Sequence, residues 1–173
     1  MIYIVRHGQT NLNVEGRYGG RIDTPLNKEG IAQAKKLKEK FKNIKLDIVI
    51  TSPLIRTIQT ANEITSKEKI TDERIIERSN GDLEGKLKSE ITEKIDFNDP
   101  NEKRYNIESI VEFRNRIYNF LDEVKEKYKG KNVLIVTHAG VGIYMRAYFE
   151  GEPSSGNYYD YKLENCEYLE YEN

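Results

Sequence analysis

The chain contains two short runs of aliphatic, mostly β-branched residues, and each run leads directly to a histidine. The first run covers residues 2–5 and is followed by Arg6 and His7, and the second covers residues 133–136 and leads to His138. Continuous apolar runs of this length are typical of parallel strands that are buried on both faces. Because these are the only two histidines, we expect both at the carboxyl edge of one sheet, where open α/β sheets bind ligands.

Helix and strand patterns alternate along the rest of the chain. Amphipathic patterns predict helices over residues 28–41, 53–65, 107–129 and 140–149. Further strands are predicted over residues 46–51 and 69–76, with edge strands over residues 158–163 and 167–171. Residues 1–173 are therefore predicted to form one domain, a three-layer α/β/α sandwich with a mainly parallel central sheet.

Two of these helices have clear start signals. Asn27 is a good N-cap for the first, and Ser52 followed by Pro53 is a typical start for the second. The second helix carries Arg56 in its first turn. We expect its backbone donors and Arg56 to point the same way, which suits a phosphate.

The composition excludes several classes of function. A net charge of −1 gives no overall attraction to nucleic acid or to an anionic membrane, so an anion site must be local. The single Cys166 excludes an intramolecular disulfide, and two separated histidines do not favour a zinc cluster. No signal peptide or transmembrane stretch is evident, and we expect a cytoplasmic protein with neither a nucleic-acid nor a membrane partner. A homodimer is one assembly that the sequence allows.

Arginine and histidine are the residues that point to a chemistry. Arg6 and Arg56 can make planar, bidentate contacts with a phosphate, and His138 can add a further donor. Such a pocket does what a magnesium ion does in other phosphoryl-transfer sites. We therefore expect a small phosphorylated substrate and neither a metal nor another cofactor.

Residues 6–13 read Arg-His-Gly-Gln-Thr-Asn-Leu-Asn and resemble the signature of the histidine phosphatase superfamily, also called the phosphoglycerate mutase-like family. The resemblance continues, in order, through residues 23–30, 52–61, 77–85 and 137–140. It implies the same α/β/α fold and phosphomonoesterase activity. It also implies that His7 is the nucleophile, forming a phosphohistidine, and that Glu77 is the general acid.

Several site residues have a structural alternative. Asn13 matches a phosphate-contacting position of the family, but loop asparagines also form turns. Gly20 lies in the family's loop region and could serve backbone geometry alone. Ala139 stands where many members have glycine, and with Asn13 and Gly20 it completes the predicted phosphate-binding set. Glu77 could instead pair with Arg74 or Arg78.

Three functions remain open. A phosphatase is favoured, because mutases of the family usually carry longer insertions than residues 86–106, which are predicted to form a short lid. A phosphoglycerate mutase is the second, and a catalytically silent phosphate-binding module the third. Glu84 is the alternative general acid. The substrate is not fixed by the sequence.

Overall fold

A computed structural model describes residues 1–173, and a five-stranded sheet lies at its centre. The strands are β1 (Ile2–Arg6), β2 (Ile48–Thr51), β3 (Ile70–Thr71), β4 (Val133–Thr137) and β5 (Tyr168–Tyr171). Their order across the sheet is β3-β2-β4-β1-β5. All neighbours pair in parallel except β5, which is antiparallel to β1 at the edge. The predicted mainly parallel sheet is confirmed.

Helices cover both faces of this sheet. They are α1 (Asn11–Val14), α2 (Lys28–Phe41), α3 (Ile55–Ile64), α4 (Ile110–Lys127) and α5 (Ala139–Glu150). Along β1, Tyr3 and Val5 pack with α2 and α3, whereas Ile2 and Ile4 pack with α4 and α5. Side chains of successive residues in a strand point to opposite faces of the sheet. Because both faces of β1 are buried, residues 2–5 are all apolar. The three-layer α/β/α architecture follows.

The strand order brings three polar residues together at one edge of the sheet. β1 and β2 both pair with β4, so the residues that follow these strands, His7, Ser52 and His138, are neighbours. The backbone N–H of His7 donates to the carbonyl of Thr137 at 2.9 Å, and that of Ser52 donates to the carbonyl of Val136 at 3.2 Å. The prediction that both histidines share the carboxyl edge is confirmed.

The start of α3 differs from the prediction. The helix begins at Ile55, and its N-cap, Leu54, makes no side-chain capping bond. Ser52 is not the cap: its hydroxyl contacts His138 and accepts from the backbone N–H of Leu54, the residue before the helix, rather than from the first turn. The backbone N–H of Ile55 donates to Asp23 Oδ1 at 2.7 Å, so this donor is occupied by a carboxylate rather than left for a phosphate.

Two predicted strands are largely helical turns. Residues 158–163 were expected at the sheet edge, but Tyr158–Tyr161 forms a 3₁₀ helix. Local hydrogen bonds favour this turn over a strand. The side chain of Asn157 accepts from the backbone N–H of Tyr159 at 3.2 Å and donates to Asp160 at 2.9 Å. Within residues 69–76 only Ile70–Thr71 pairs as a strand, and Glu73–Ile75 is a second 3₁₀ helix.

Helix α4 is shorter than predicted. It starts after Ser109, whose hydroxyl accepts from the backbone N–H of Val111 at 3.3 Å. Val111, in its first turn, is exposed. Nowhere does the structure contain a helix long and apolar enough to cross a bilayer.

Candidate active site

A cavity of about 420 Å³ opens at the carboxyl edge of the sheet. Its wall includes Arg6, His7 and Arg56, three polar residues that are each more than nine-tenths buried, and also Glu77. Cavities of this size are typical of sites for small molecules. These four predicted residues therefore meet in one cavity.

The hydrogen bonds of His7 fix which of its nitrogens carries the proton. Nδ1 lies 2.7 Å from the carbonyl oxygen of Gly8, and a carbonyl can only accept, so Nδ1 carries the hydrogen. Nε2 then holds a free lone pair. Burial, followed by the nearby charges of Arg56 and Arg6, lowers the pKa of His7 well below its usual value. A neutral ring with an unprotonated Nε2 is the form that a nucleophile requires.

His138 lies behind His7 rather than on the cavity wall. It is fully buried, and its ring centroid is 5.3 Å from that of His7. Its Nε2 is 2.8 Å from Ser52 Oγ, whereas its Nδ1 is buried with no hydrogen-bond partner. Burial, then the charge of Arg56, lowers its pKa well below the usual value, so this ring is also neutral.

Backbone carbonyls hold the two arginines in place. Arg56 donates to the carbonyls of Gly20 and Ile22 at 2.8 and 2.7 Å. Arg6 donates through Nη1 to the carbonyl of Leu163 at 2.6 Å, and its Nε is buried without a partner. Burial lowers the pKa of both guanidiniums, but arginine stays charged in proteins. The cavity therefore has two fixed positive charges and an unused donor.

The carboxylate of Glu77 rests on the first turn of α5. Its Oε2 accepts from the backbone N–H of Gly140 at 3.0 Å, and its Oε1 accepts from the backbone N–H of Arg78 at 2.9 Å. The side chain of Arg74 pairs with Asp72, and the Arg78 side chain donates to carbonyl groups. The alternative in which Glu77 forms an ion pair with either arginine is wrong.

Gly140 is required for this arrangement. A Cβ atom at this position would lie 2.5 Å from Glu77 Oε1, far inside van der Waals contact. Only glycine lets the carboxylate approach the start of α5 so closely.

Glu84, the alternative acid, organises the loop around Gly20. Its carboxylate accepts from the backbone N–H groups of Arg21 at 3.0 Å and Asn80 at 3.1 Å, and it does not line the cavity. Gly20 has a φ of +44°, and a Cβ there would collide with Glu84. Gly20 therefore contributes backbone geometry and the carbonyl that holds Arg56.

Asn13 and Ala139 both line the cavity. Asn13 Oδ1 accepts from the backbone N–H of Thr10 at 3.0 Å in a capping box, so Asn13 forms the turn that the alternative interpretation expected. Ala139 is the first residue of α5, where backbone N–H groups have no acceptor within the helix. Both remain predicted phosphate contacts.

The C-terminal segment supplies site residues that the sequence did not indicate. Asn165 Nδ2 donates to the carbonyl of His7 at 2.9 Å, and Glu164 Oε2 is 3.9 Å from Arg6. These residues are separated from His7 by more than 150 positions, and no pattern around them marks a site. Only the antiparallel pairing of β5 with β1 brings the segment back to the cavity.

The outer cavity is rich in cationic and aromatic side chains. The further lining residues of these two kinds are Arg17, Tyr18, Arg78, Lys88, Phe97, Phe113, Tyr144, Tyr158, Tyr159 and Lys162. Phe97 comes from the predicted lid, residues 86–106, together with Asn98, which accepts from the Tyr144 hydroxyl at 3.0 Å. Lys103, Arg104 and Tyr105, which belong to the same segment, do not line the cavity.

Comparison with known proteins identifies the family of the chain. A sequence model described as the histidine phosphatase superfamily (branch 1) matches residues 2–172. Phosphoserine phosphatase 1 of Hydrogenobacter thermophilus is 35% identical over 147 residues, which cover 79% of this chain and 70% of that protein. A 2,3-bisphosphoglycerate-dependent phosphoglycerate mutase of Methanosarcina acetivorans is 44% identical, but over only 68 residues, 39% of this chain and 27% of that protein.

A solved structure of a phosphatase has a similar fold. A phosphoserine phosphatase mutant from Entamoeba histolytica, in complex with phosphoserine, superposes with a TM-score of 0.85 at 25% identity. The superposition covers 96% of this chain and 87% of that one. With its fold, its motifs and the family match over almost its whole length, the chain belongs to the histidine phosphatase superfamily.

Proposed function

We propose that the protein is a phosphatase that hydrolyses a small phosphate monoester through a phosphohistidine on His7, without a metal ion. One observation carries this proposal: the unprotonated Nε2 of His7 lies in a cavity whose wall also holds two buried arginines and Glu77. Nucleophile, positive charge and proton donor are the three parts that phosphoryl transfer through a covalent intermediate needs.

In the first step His7 Nε2 attacks the phosphorus atom and the ester P–O bond breaks. Arg6 and Arg56 bind the non-bridging oxygens, on which negative charge lies throughout the transfer. Glu77, as the general acid, gives a proton to the leaving oxygen, so the product is a neutral alcohol. The Nδ1–H bond to Gly8 stays in place and holds the phosphorylated ring in line.

In the second step water attacks the same phosphorus atom and the P–N bond breaks. Glu77, now a carboxylate, takes the proton of the attacking water and returns to its starting state. His7 recovers its lone pair, and inorganic phosphate leaves. The cycle consumes one water and needs no redox partner.

The arginines provide the positive charge that a metal ion would otherwise supply. No group of three or more histidine, cysteine, aspartate or glutamate side chains in the structure is arranged to hold a metal. The guanidiniums are instead fixed by carbonyl oxygens at 2.6–2.8 Å, so they are already oriented before the substrate binds.

The outer cavity supports a small phosphorylated acid as the substrate class. Arg78 and Lys88 are cations on its wall in addition to those at the phosphate, and Lys162 also lies there, paired with Glu164 at 3.5 Å. A second anionic group on the substrate, such as a carboxylate, would complement them. Phosphoserine, the ligand named for the structural relative, is a compound of this kind.

A phosphate-release screen tests the proposal. The wild-type protein, in excess chelator, is incubated with phosphoserine, 3-phosphoglycerate, sugar phosphates and nucleotides, and His7→Ala is the matched control. We expect release from at least one phosphorylated acid by the wild type only. Release from no ester, or release that depends on added magnesium, would contradict the proposal.

The same cations favour a mutase as the second candidate, since they could bind the second charged group of a phosphoglycerate. Two relatives named as phosphoglycerate mutases match only 39% and 48% of this chain, and a phosphoglycerate mutase-like protein matches 84%. Phosphoserine phosphatase 1 matches 79% at 35% identity, and we therefore rank the mutase below hydrolysis. Phosphorus NMR of the reaction with 3-phosphoglycerate separates the two. Inorganic phosphate as the main product supports the phosphatase, whereas 2-phosphoglycerate as the main product supports the mutase.

A further inference from the structure

Ser52 lies directly after β2 and contacts His138 from the neighbouring strand. Both residues are fully buried. The distance from Ser52 Oγ to His138 Nε2 is 2.8 Å, and Oγ also accepts from the backbone N–H of Leu54 at 3.3 Å. These are the only hydrogen bonds of the Ser52 hydroxyl in the structure.

The direction of the serine–histidine bond follows from these partners. The hydroxyl of Ser52 has a single hydrogen, and the N–H of Leu54 can only donate to it. If Nε2 of His138 also donated, the hydroxyl hydrogen would be buried with no acceptor, which is unfavourable. The Ser52 hydroxyl and His138 Nε2 are both satisfied only when Ser52 donates to Nε2. A neutral His138 must then carry its hydrogen on Nδ1, the one polar atom of the pair that is left without a partner.

This leaves a buried N–H donor beside the nucleophile. Nδ1 of His138 has no partner in the protein, and the ring packs against His7 at a centroid distance of 5.3 Å. A buried donor without an acceptor at a ligand site is explained when the ligand provides the acceptor. His138 is not itself on the cavity wall, but its ring contacts that of His7, so a phosphoryl group bonded to His7 Nε2 would bring oxygen atoms next to the His138 ring.

We propose that Ser52 is a positioning residue, which holds His138 as its Nδ1–H tautomer so that this nitrogen can donate to an oxygen of the transferred phosphoryl group. Removing the serine hydroxyl would free the ring to exchange tautomers. In the other tautomer Nδ1 carries a lone pair, which repels a phosphoryl oxygen. The effect on catalysis rests on the proposed function, whereas the His138 tautomer can be measured without turnover.

Nitrogen NMR of the protein labelled with ¹⁵N-histidine tests the assignment directly. The chain has two histidines, so the spectrum contains four ring nitrogens, and His138→Gln identifies the pair from His138. In the wild type we expect a protonated Nδ1 and an unprotonated Nε2 on His138. Saturating inorganic phosphate should shift the Nδ1 proton. A proton on Nε2 in the wild type would overturn the proposal.

Two matched variants test the consequence. Ser52→Ala removes the hydroxyl, whereas Thr51→Val removes the neighbouring buried hydroxyl, which has no hydrogen-bond partner. We expect Ser52→Ala to lower kcat by about 10- to 100-fold, as loss of a hydrogen bond that orients a functional histidine typically does, with a smaller change in KM. Thr51→Val should keep its kcat.

The results separate this proposal from the proposed function. A folded Ser52→Ala protein with wild-type kcat and one His138 tautomer would overturn the role of Ser52, even if the enzyme hydrolyses esters as proposed. If Ser52→Ala does not fold, the His138 tautomer measured in the wild type still tests the proposal. If the wild type releases no phosphate from any ester, the function fails, and the tautomer measurement stands independently.

Discussion

The imidazole rings of His7 and His138 lie with their centroids 5.3 Å apart, inclined at 65° to each other. Burial lowers the pKa of both rings, and the charge of Arg56 is the second cause for both. Two neutral rings can pack this closely beside two guanidiniums, whereas two imidazolium ions would repel them and each other. The pair can thus present a lone pair from one ring and an N–H from the other.

The first prediction concerns stability against pH. Below about pH 6.5 the histidines of the unfolded chain take up protons, while His7 and His138 stay neutral in the folded protein. The unfolded state then binds more protons, so the free energy of unfolding falls as the pH drops, by up to about 1.4 kcal/mol per pH unit for each histidine. Urea unfolding at pH 7.5 and 5.5 measures this loss.

The control for this measurement is the double variant His7→Gln/His138→Gln. Carboxylates titrate in both proteins, but only the wild type has the two buried imidazoles. Between pH 7.5 and 5.5 the wild type should lose roughly 2–3 kcal/mol more than the double variant. Equal losses would show that the two rings are not held neutral by the fold.

The second prediction concerns Arg56. Arg56→Ala removes a charge that is fixed by two carbonyls, and kcat/KM should fall by at least about 100-fold. Arg56→Lys should recover little, because a lysine cannot make both carbonyl contacts and a bidentate phosphate contact. Arg146→Ala, which removes a surface arginine paired with Glu150, is the matched control and should leave kcat/KM within about twofold. Near-complete rescue by lysine would contradict the bidentate role.

The third prediction separates Glu77 from Glu84. Glu77→Gln should slow phosphorylation of His7 by alkyl phosphates by about 100-fold or more, because an alkoxide leaves poorly without a proton. With p-nitrophenyl phosphate, whose leaving group needs little protonation, the burst phase should be much less affected. Glu84→Gln keeps an oxygen for the loop N–H groups and should affect both substrates equally. The reverse pattern would exchange the roles of the two glutamates.

The fourth prediction uses two glycines of α5. Gly140→Ala places a Cβ against Glu77 and should displace its carboxylate, giving the same leaving-group pattern as Glu77→Gln. At Gly142 a Cβ would meet only the flexible side chain of Leu163, at 3.2 Å, so Gly142→Ala is the control. Alanine favours a helix by about 1 kcal/mol relative to glycine, so neither variant should unfold. Equal kcat values for Gly140→Ala and Gly142→Ala would contradict the proposal that catalysis depends on the position of the Glu77 carboxylate.

Much of the fold could be predicted because its signals are local. The apolar runs before His7 and His138 identify buried strands, and Asn27 caps α2 as predicted, accepting from the backbone N–H of Gly30 at 2.8 Å. Residues 158–163 were predicted wrongly because tyrosine favours strands. There the bonds made by Asn157 outweigh that preference.

The candidate site could be predicted only where a motif marks it. Arg6, His7, Arg56 and Glu77 were found from their segments, and the structure brings them to one cavity. For Ser52 the sequence predicts only a helix cap, because it does not show that β2 and β4 are neighbours. The pairing of β2 with β4 and its register are set by the tertiary structure.

The most direct test of the account is whether His7 carries the phosphoryl group during turnover. Protein quenched in base during a single turnover, digested and analysed by mass spectrometry should show a phosphorylated His7 peptide, stable in base and labile in acid. His7→Ala should show no label and should lose at least roughly a thousandfold in kcat. An unlabelled wild type under turnover, a label on His138, or an active His7→Ala protein would contradict the mechanism.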